Sequence, residues 1–215
     1  MGMEMMGALA RTVRVDAAAA ARSELNRAFF ATVDDLARRG RLAQEAACLQ
    51  HGTTTILLHS IAVAYWCERA ALRYGLTEHL EELRRAALLH DYFLYDWHVS
   101  DPAHAGHALL HGQRACANAR EDFPDLTERE ANSISCHMFP LAPAPRYREG
   151  WVITCADKVC ASYETALRHA PAYPVLRRLC ALYVPELALS TVRPAGPAGG
   201  LPSALRRLAR PAARA

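Results

Sequence analysis

Apolar residues along this chain recur at three- and four-residue spacing, and period-two alternation is hard to find, so the pattern predicts helices throughout. From Thr53 to Tyr74 the spacing predicts a helix ending before Gly75, with His59, Ala62, Val63, Trp66 and Ala70 on one inward face. Thr77 reads as the N-cap of the next helix, with Glu78, Glu81 and Glu82 in its first turns. There Leu80, Leu83, Ala87 and His90 form an apolar stripe that aims His90 inward and leaves Asp91 near the helix end. Thr127-x-x-Glu130 is a capping-box pattern, opening a helix that carries Ser133, Ile134 and His137. The segment 151–162, WVITCADKVCAS, is apolar apart from Asp157 and Lys158.

These elements give an all-α fold with one sizeable core, since 215 residues leave little room for a second full domain. Residues 1–50 read as one or two helices packed on the outside of the core, with an alanine run from Ala17 to Ala21 and a break at Gly40. A central domain over 51–175 and a C-terminal helix over 176–192 follow. Four prolines and three glycines make 193–215 read as a disordered tail rich in Pro, Ala and Arg.

Charge changes the picture only at that tail. It holds five arginines and no acid, and the rest of the chain carries 20 basic and 22 acidic residues. A nearly neutral body lacks the basic field that a nucleic-acid polymer requires. The seven cysteines form no CxxC pair, which gives a zinc ribbon or thioredoxin-like motif no support and suits buried thiols in a reducing compartment. With no basic start leading into an apolar run and no run of spanning length, the expected location is cytoplasmic, away from membranes. Four methionines in the first six residues leave the start codon open, and nothing here sets the oligomeric state.

The candidate chemistry lies in six residues on these apolar segments: His59, the pair His90-Asp91, His111, His137 and Asp157. Imidazole and carboxylate are ordinary ligands for zinc, iron and manganese. Asp157 on an apolar helix is costly to bury without a partner, and a metal is one remedy. His107 lies one helical turn before His111 and competes with it as a ligand. Pro102 and Gly106 place His104 and His107 in a loop before the helix that opens near His111, so His111 is preferred and His107 turns toward substrate. His98 stands either near the site or in an exposed loop. Lys158, the only lysine of the chain, is a candidate for a substrate phosphate or for orienting Asp157. The loop MFPLAPAPRYREG over 138–150 holds Arg146 and Arg148, either as phosphate ligands or within a proline-stiffened connector.

The motif LLHD at 88–91, preceded by His59 and followed by His111, His137 and Asp157 at intervals of 31, 20, 26 and 20 residues, resembles the HD-domain superfamily of metal-dependent phosphohydrolases. The resemblance covers 53–163 and implies an HD-domain helical bundle. The stretches HDYFLYDWH and HALLHG resemble a bacterial subgroup of HD-domain hydrolases. The resemblance implies one ion at His59, His90, Asp91 and Asp157, with Asp91 bridging to a second ion at His111 and His137. Either would be a divalent Fe, Mn, Zn, Ni or Co. It implies hydrolysis of a small phosphorylated metabolite or nucleotide by metal-activated hydroxide. In that chemistry Asp91 and Lys158 are the expected catalytic residues, and Lys158, His107, Arg146 and Arg148 are expected on the substrate. HD-fold di-iron oxygenases share the ligand order, and a non-catalytic metal- or nucleotide-binding domain is a third reading. The HDIGK continuation of cyclic-dinucleotide phosphodiesterases is missing, and Leu94 replaces the acid of some nucleoside-monophosphate phosphatases.

Overall fold

Helices account for nearly all the regular structure among the described residues. The computed structural model describes residues 22–167 and 170–187. A first helix, α1, spans 22–39 and stops at Gly40, where a Cβ would meet Phe123 Cζ at 2.5 Å and Tyr92 Oη at 2.9 Å. A 3-10 helix, Leu42–Ala47, leads into a small antiparallel hairpin of β1 (Leu49–His51) and β2 (Thr54–Thr55). Then come α2 (Ile56–Tyr74), α3 (Leu80–Leu88), α4 (His107–Asp122), α5 (Glu128–Cys136), α6 (Arg148–Leu167) and α7 (Pro174–Tyr183). A 3-10 turn, Pro185–Leu187, follows, so the C-terminal helix is shorter than the expected 176–192. The alanine run at 17–21 and the tail at 193–215 lie outside the described residues.

The fold is all-α, as the periodicity implied, with α2 at its centre between α3 and α6 and with α5 against α3, α4 and α6. Thr55 caps α2 by accepting a hydrogen bond from Leu58 N, and Gly75 (φ 70°) takes the left-handed turn that ends it. Thr127 and Glu130 form the capping box that opens α5. The expected cap at Thr77 does not form: α3 starts at Leu80 after His79, whose ring engages Glu82 at 2.7 Å.

Two expectations about facing need correction. Trp66 is 53% exposed, because α2 buries Cys67, Glu68 and Ala71 in the turn where Trp66 was expected to face inward. The N-terminal segment is built into the core rather than laid outside it, since Phe29, Phe30, Val33, Leu36 and Leu42 are buried in the main cluster. A buried Arg84–Glu68 pair at 2.6 Å, with Thr32 accepting from the same guanidinium, ties α1, α2 and α3 together.

Candidate metal centre

The six residues come from five places in the chain and meet inside the bundle. His59 lies in the first turn of α2, His111 near the start of α4, His137 at the C-cap of α5, and Asp157 on the inward stripe of α6. His90 and Asp91 occupy the turn just after α3 rather than its last helical turn, because the helix closes at Leu88 with Leu89 as its cap. All six are buried.

Asp91 divides its carboxylate between two groups. Oδ2 lies 3.7 Å from His59 Nε2 and 3.5 Å from His90 Nε2, whereas Oδ1 lies 3.4 Å from His111 Nε2 and 3.7 Å from His137 Nε2. Asp157 Oδ1 joins the first group at 3.1 Å from His59 Nε2 and 3.8 Å from His90 Nε2. Ligand atoms of His59, His90 and Asp157 form one set able to hold an ion, and those of His90, Asp91 and His137 form another.

The histidines are oriented alike. Nδ1 of His90, His111 and His137 donates to the carbonyls of Ala87, His107 and Ile134 at 2.8, 2.9 and 2.7 Å. A carbonyl only accepts, so a proton sits on Nδ1, and in the neutral ring each Nε2 turns a lone pair inward. His111 Nε2 and His137 Nε2 then face each other at 3.0 Å, two nitrogens that repel unless a proton or a metal ion lies between them. Among the described residues nothing hydrogen-bonds to His90 Nε2 or Asp91 Oδ1, although both atoms are buried. Buried polar atoms are rarely left so, and this donor set fits one or two divalent ions.

Electrostatics separate the groups. Burial opposes protonation of His59, yet hydrogen bonds to Asp157 and Glu164 outweigh it and hold the ring well above the usual histidine range. Burial likewise opposes charge on His90, and the neighbouring Asp91 and Asp157 raise it. Burial and the charge of His90 push His137 down to about 4, which keeps it a neutral ligand. Burial raises Asp91, but the surrounding imidazoles bring it below the usual carboxylate range; Asp157 is held well below it against burial by His59 and His90.

Of the remaining candidates, His107 packs against a residue of the cluster, and the others are exposed. His107 is the first residue of α4, entered through Gly106 at φ 71°, not part of a preceding loop. Its ring stacks on His111 at 4.7 Å and on Trp97 at 5.3 Å, and its Nδ1 pairs with Tyr95 Oη at 2.9 Å. Lys158 follows Asp157 on α6 and is exposed. Arg146 and Arg148 are exposed, with the Arg146 guanidinium beside the Tyr147 ring. His98 pairs with Asp96 at the surface.

Three groups around the ligands escaped the sequence reading. Gln50 Nε2 donates to Asp91 Oδ2 at 2.6 Å while its Oε1 accepts from Trp97 Nε1 at 3.1 Å. Glu164 touches His59 Nδ1 with both oxygens at 3.0 Å. Glu45 is buried near this cluster with neither oxygen bonded among the described residues. Only Glu164 left a usable signal: it is an acid seven residues after Asp157 on one helical stripe.

The HD domain family model matches residues 56–162, which include all six ligand candidates. No curated protein and no solved structure matches the chain.

Proposed function

We propose that this chain, a member of the HD-domain superfamily, is a metal-dependent hydrolase that cleaves a phosphoester of a small metabolite or nucleotide. One observation carries the reading: Asp91 offers one oxygen to His59 and His90 and the other to His111 and His137. A carboxylate so shared suits a pair of ions, with His59, His90, Asp157 and Asp91 holding one, and Asp91, His111 and His137 the other. Divalent ions at such a centre supply Lewis acidity and a water acidified enough to act as a nucleophile near neutral pH.

The protein's own groups organise that chemistry. Carbonyl partners on Nδ1 keep three imidazoles turned inward before any ligand arrives, which lowers the cost of assembling the site. Gln50 fixes the Asp91 carboxylate, and Trp97 fixes Gln50. We assign His107, stacked beside His111, to the phosphoryl oxygens or the leaving group, and the exposed Lys158, Arg146 and Arg148 to more distal anionic parts of the substrate.

Metal analysis of the purified protein, paired with a phosphoester screen in manganese, iron or zinc, tests this. Two ions per chain and phosphate release are expected. Asp91→Ala should abolish activity, and His137→Ala should lose one ion and at least a hundredfold in rate, about 2.7 kcal/mol of barrier. No bound metal would sink the reading. So would an iron-loaded protein that consumes dioxygen and releases no phosphate.

A further inference from the structure

Glu164 is a buried acid that no ligand role explains. Its side chain is fully buried, both oxygens lie 3.0 Å from His59 Nδ1, and Tyr173 Oη donates to Oε1 at 2.8 Å. Asp157 meets the other ring nitrogen, Nε2, of the same histidine at 3.1 Å. Thus Glu164 acts on the side of His59 that faces away from the ligand oxygens.

The inventory of hydrogens determines what this contact does. Tyr173 has one hydroxyl hydrogen and gives it to Glu164, and a carboxylate only accepts. The short contact to His59 therefore requires a proton on Nδ1, which in the neutral ring places the lone pair on Nε2, beside Asp157 and Asp91. His90, His111 and His137 reach the same tautomer through neutral carbonyls of their own chain segments. His59 alone uses a charged acceptor, supplied by α6 and steadied from the start of α7, where Tyr173 sits at φ 55°. Such a carboxylate–histidine contact makes the ring a stronger ligand.

Resting on the metal-centre reading above, we propose that Glu164, held by Tyr173, is a positioning residue. It fixes the His59 tautomer and sets the affinity of the His59–His90–Asp157 subsite for its ion. Both residues lie beyond the matched stretch 56–162.

The test is a zinc titration of the full chain, first stripped with chelator, with dissociation constants read by competition against a chromophoric chelator. Wild type is expected to bind in two steps. Glu164→Leu fills much of the same space but removes the acceptor on Nδ1, and one of the two steps should weaken by roughly 10- to 100-fold. Glu164→Gln keeps an amide oxygen, which can accept from Tyr173 and from Nδ1 together, so it should retain most of the wild-type affinity. Should Glu164→Leu show no cooperative melt, Tyr173→Phe alone decides: a weakened step supports the proposal, and an unchanged one overturns it. A Glu164→Leu protein that titrates like wild type, or a Glu164→Gln protein that loses as much as Glu164→Leu, would reduce Glu164 to a packing contact between α2 and α6. A wild type that takes up no zinc would overturn the metal-centre reading itself.

Discussion

Asp91 sits among four imidazoles, and its charge suits that position only because its two oxygens serve different sets of rings. The six residues that the structure brings together as ligand candidates were legible, because imidazoles and carboxylates on apolar stripes are costly without a purpose. Of their supports, only the place of Glu164 on the Asp157 stripe could be read, not the contact it makes. Glu164 reaches His59 across 105 positions and Gln50 reaches Asp91 across 41, and no local period encodes such a contact. Glu45 is the extreme case, a buried carboxyl without a hydrogen bond among the described residues. Burial, and next the negative charge of Asp91, push it well above the usual glutamate range. An acid raised in the folded state contributes stability that is full below the unfolded value near 4.5 and is lost as pH rises through the folded one. Glu45→Gln removes this loss. In chelator-stripped protein the variant should therefore be more stable than wild type at pH 8, by roughly 1–3 kcal/mol, with the gap shrinking toward pH 5. Denaturant melts at both pH values measure it, and a gap independent of pH would show that Glu45 is not the titrating group.

At the scale of elements, the sequence located helices better than it located their ends. Thr127 could be read as a cap because both halves of its box lie within four residues. Thr77 has no such partner: the position three residues on is Leu80, and α3 begins there after His79, which engages Glu82. Gly106 looked like part of a loop, yet its left-handed turn launches α4 at His107, a full turn before His111. The approach of α4 to α5 depends on Gly112. A Cβ there would meet the carbonyl oxygens of Ile134 and Ser135 at 3.1 Å and His137 Cε1 at 3.3 Å. Helix propensity favours alanine over glycine by about 1 kcal/mol, whereas forcing apart a packed helix pair costs about 1–3 kcal/mol. The steric cost should win, since backbone atoms cannot rotate away. Gly112→Ala is expected to lower the melting temperature and to weaken the zinc step that involves His111 and His137, leaving the other step near wild type. Unchanged zinc binding in both steps would mean that the two helices separate without disturbing their histidines.

The whole molecule extends past the stretch that carries its ligands. Residues 56–162 hold all six candidates, but the core they need is shared with α1 and α7. Phe29, Phe30, Val33, Leu36 and Leu42 are buried from the N-terminal side, and Leu176 and Cys180 from the C-terminal side. Each large apolar side chain fully buried stabilises a fold by about 1.5–3 kcal/mol, and a whole domain is stable by only about 5–15 kcal/mol. Removing five such side chains from one side alone would consume that margin, even before their former partners on α2 are exposed to water. No helix among the described residues is long and apolar enough to cross a membrane. A fragment cut to 56–162 is therefore expected to lack a cooperative thermal transition, to expose apolar surface to a hydrophobic dye, and to bind zinc far more weakly than the full chain. It would also have lost Gln50 and Glu164 from the two sides of the metal centre. A fragment that melts cooperatively and binds two ions at wild-type affinity would mean that α1 and α7 only cover a self-sufficient centre.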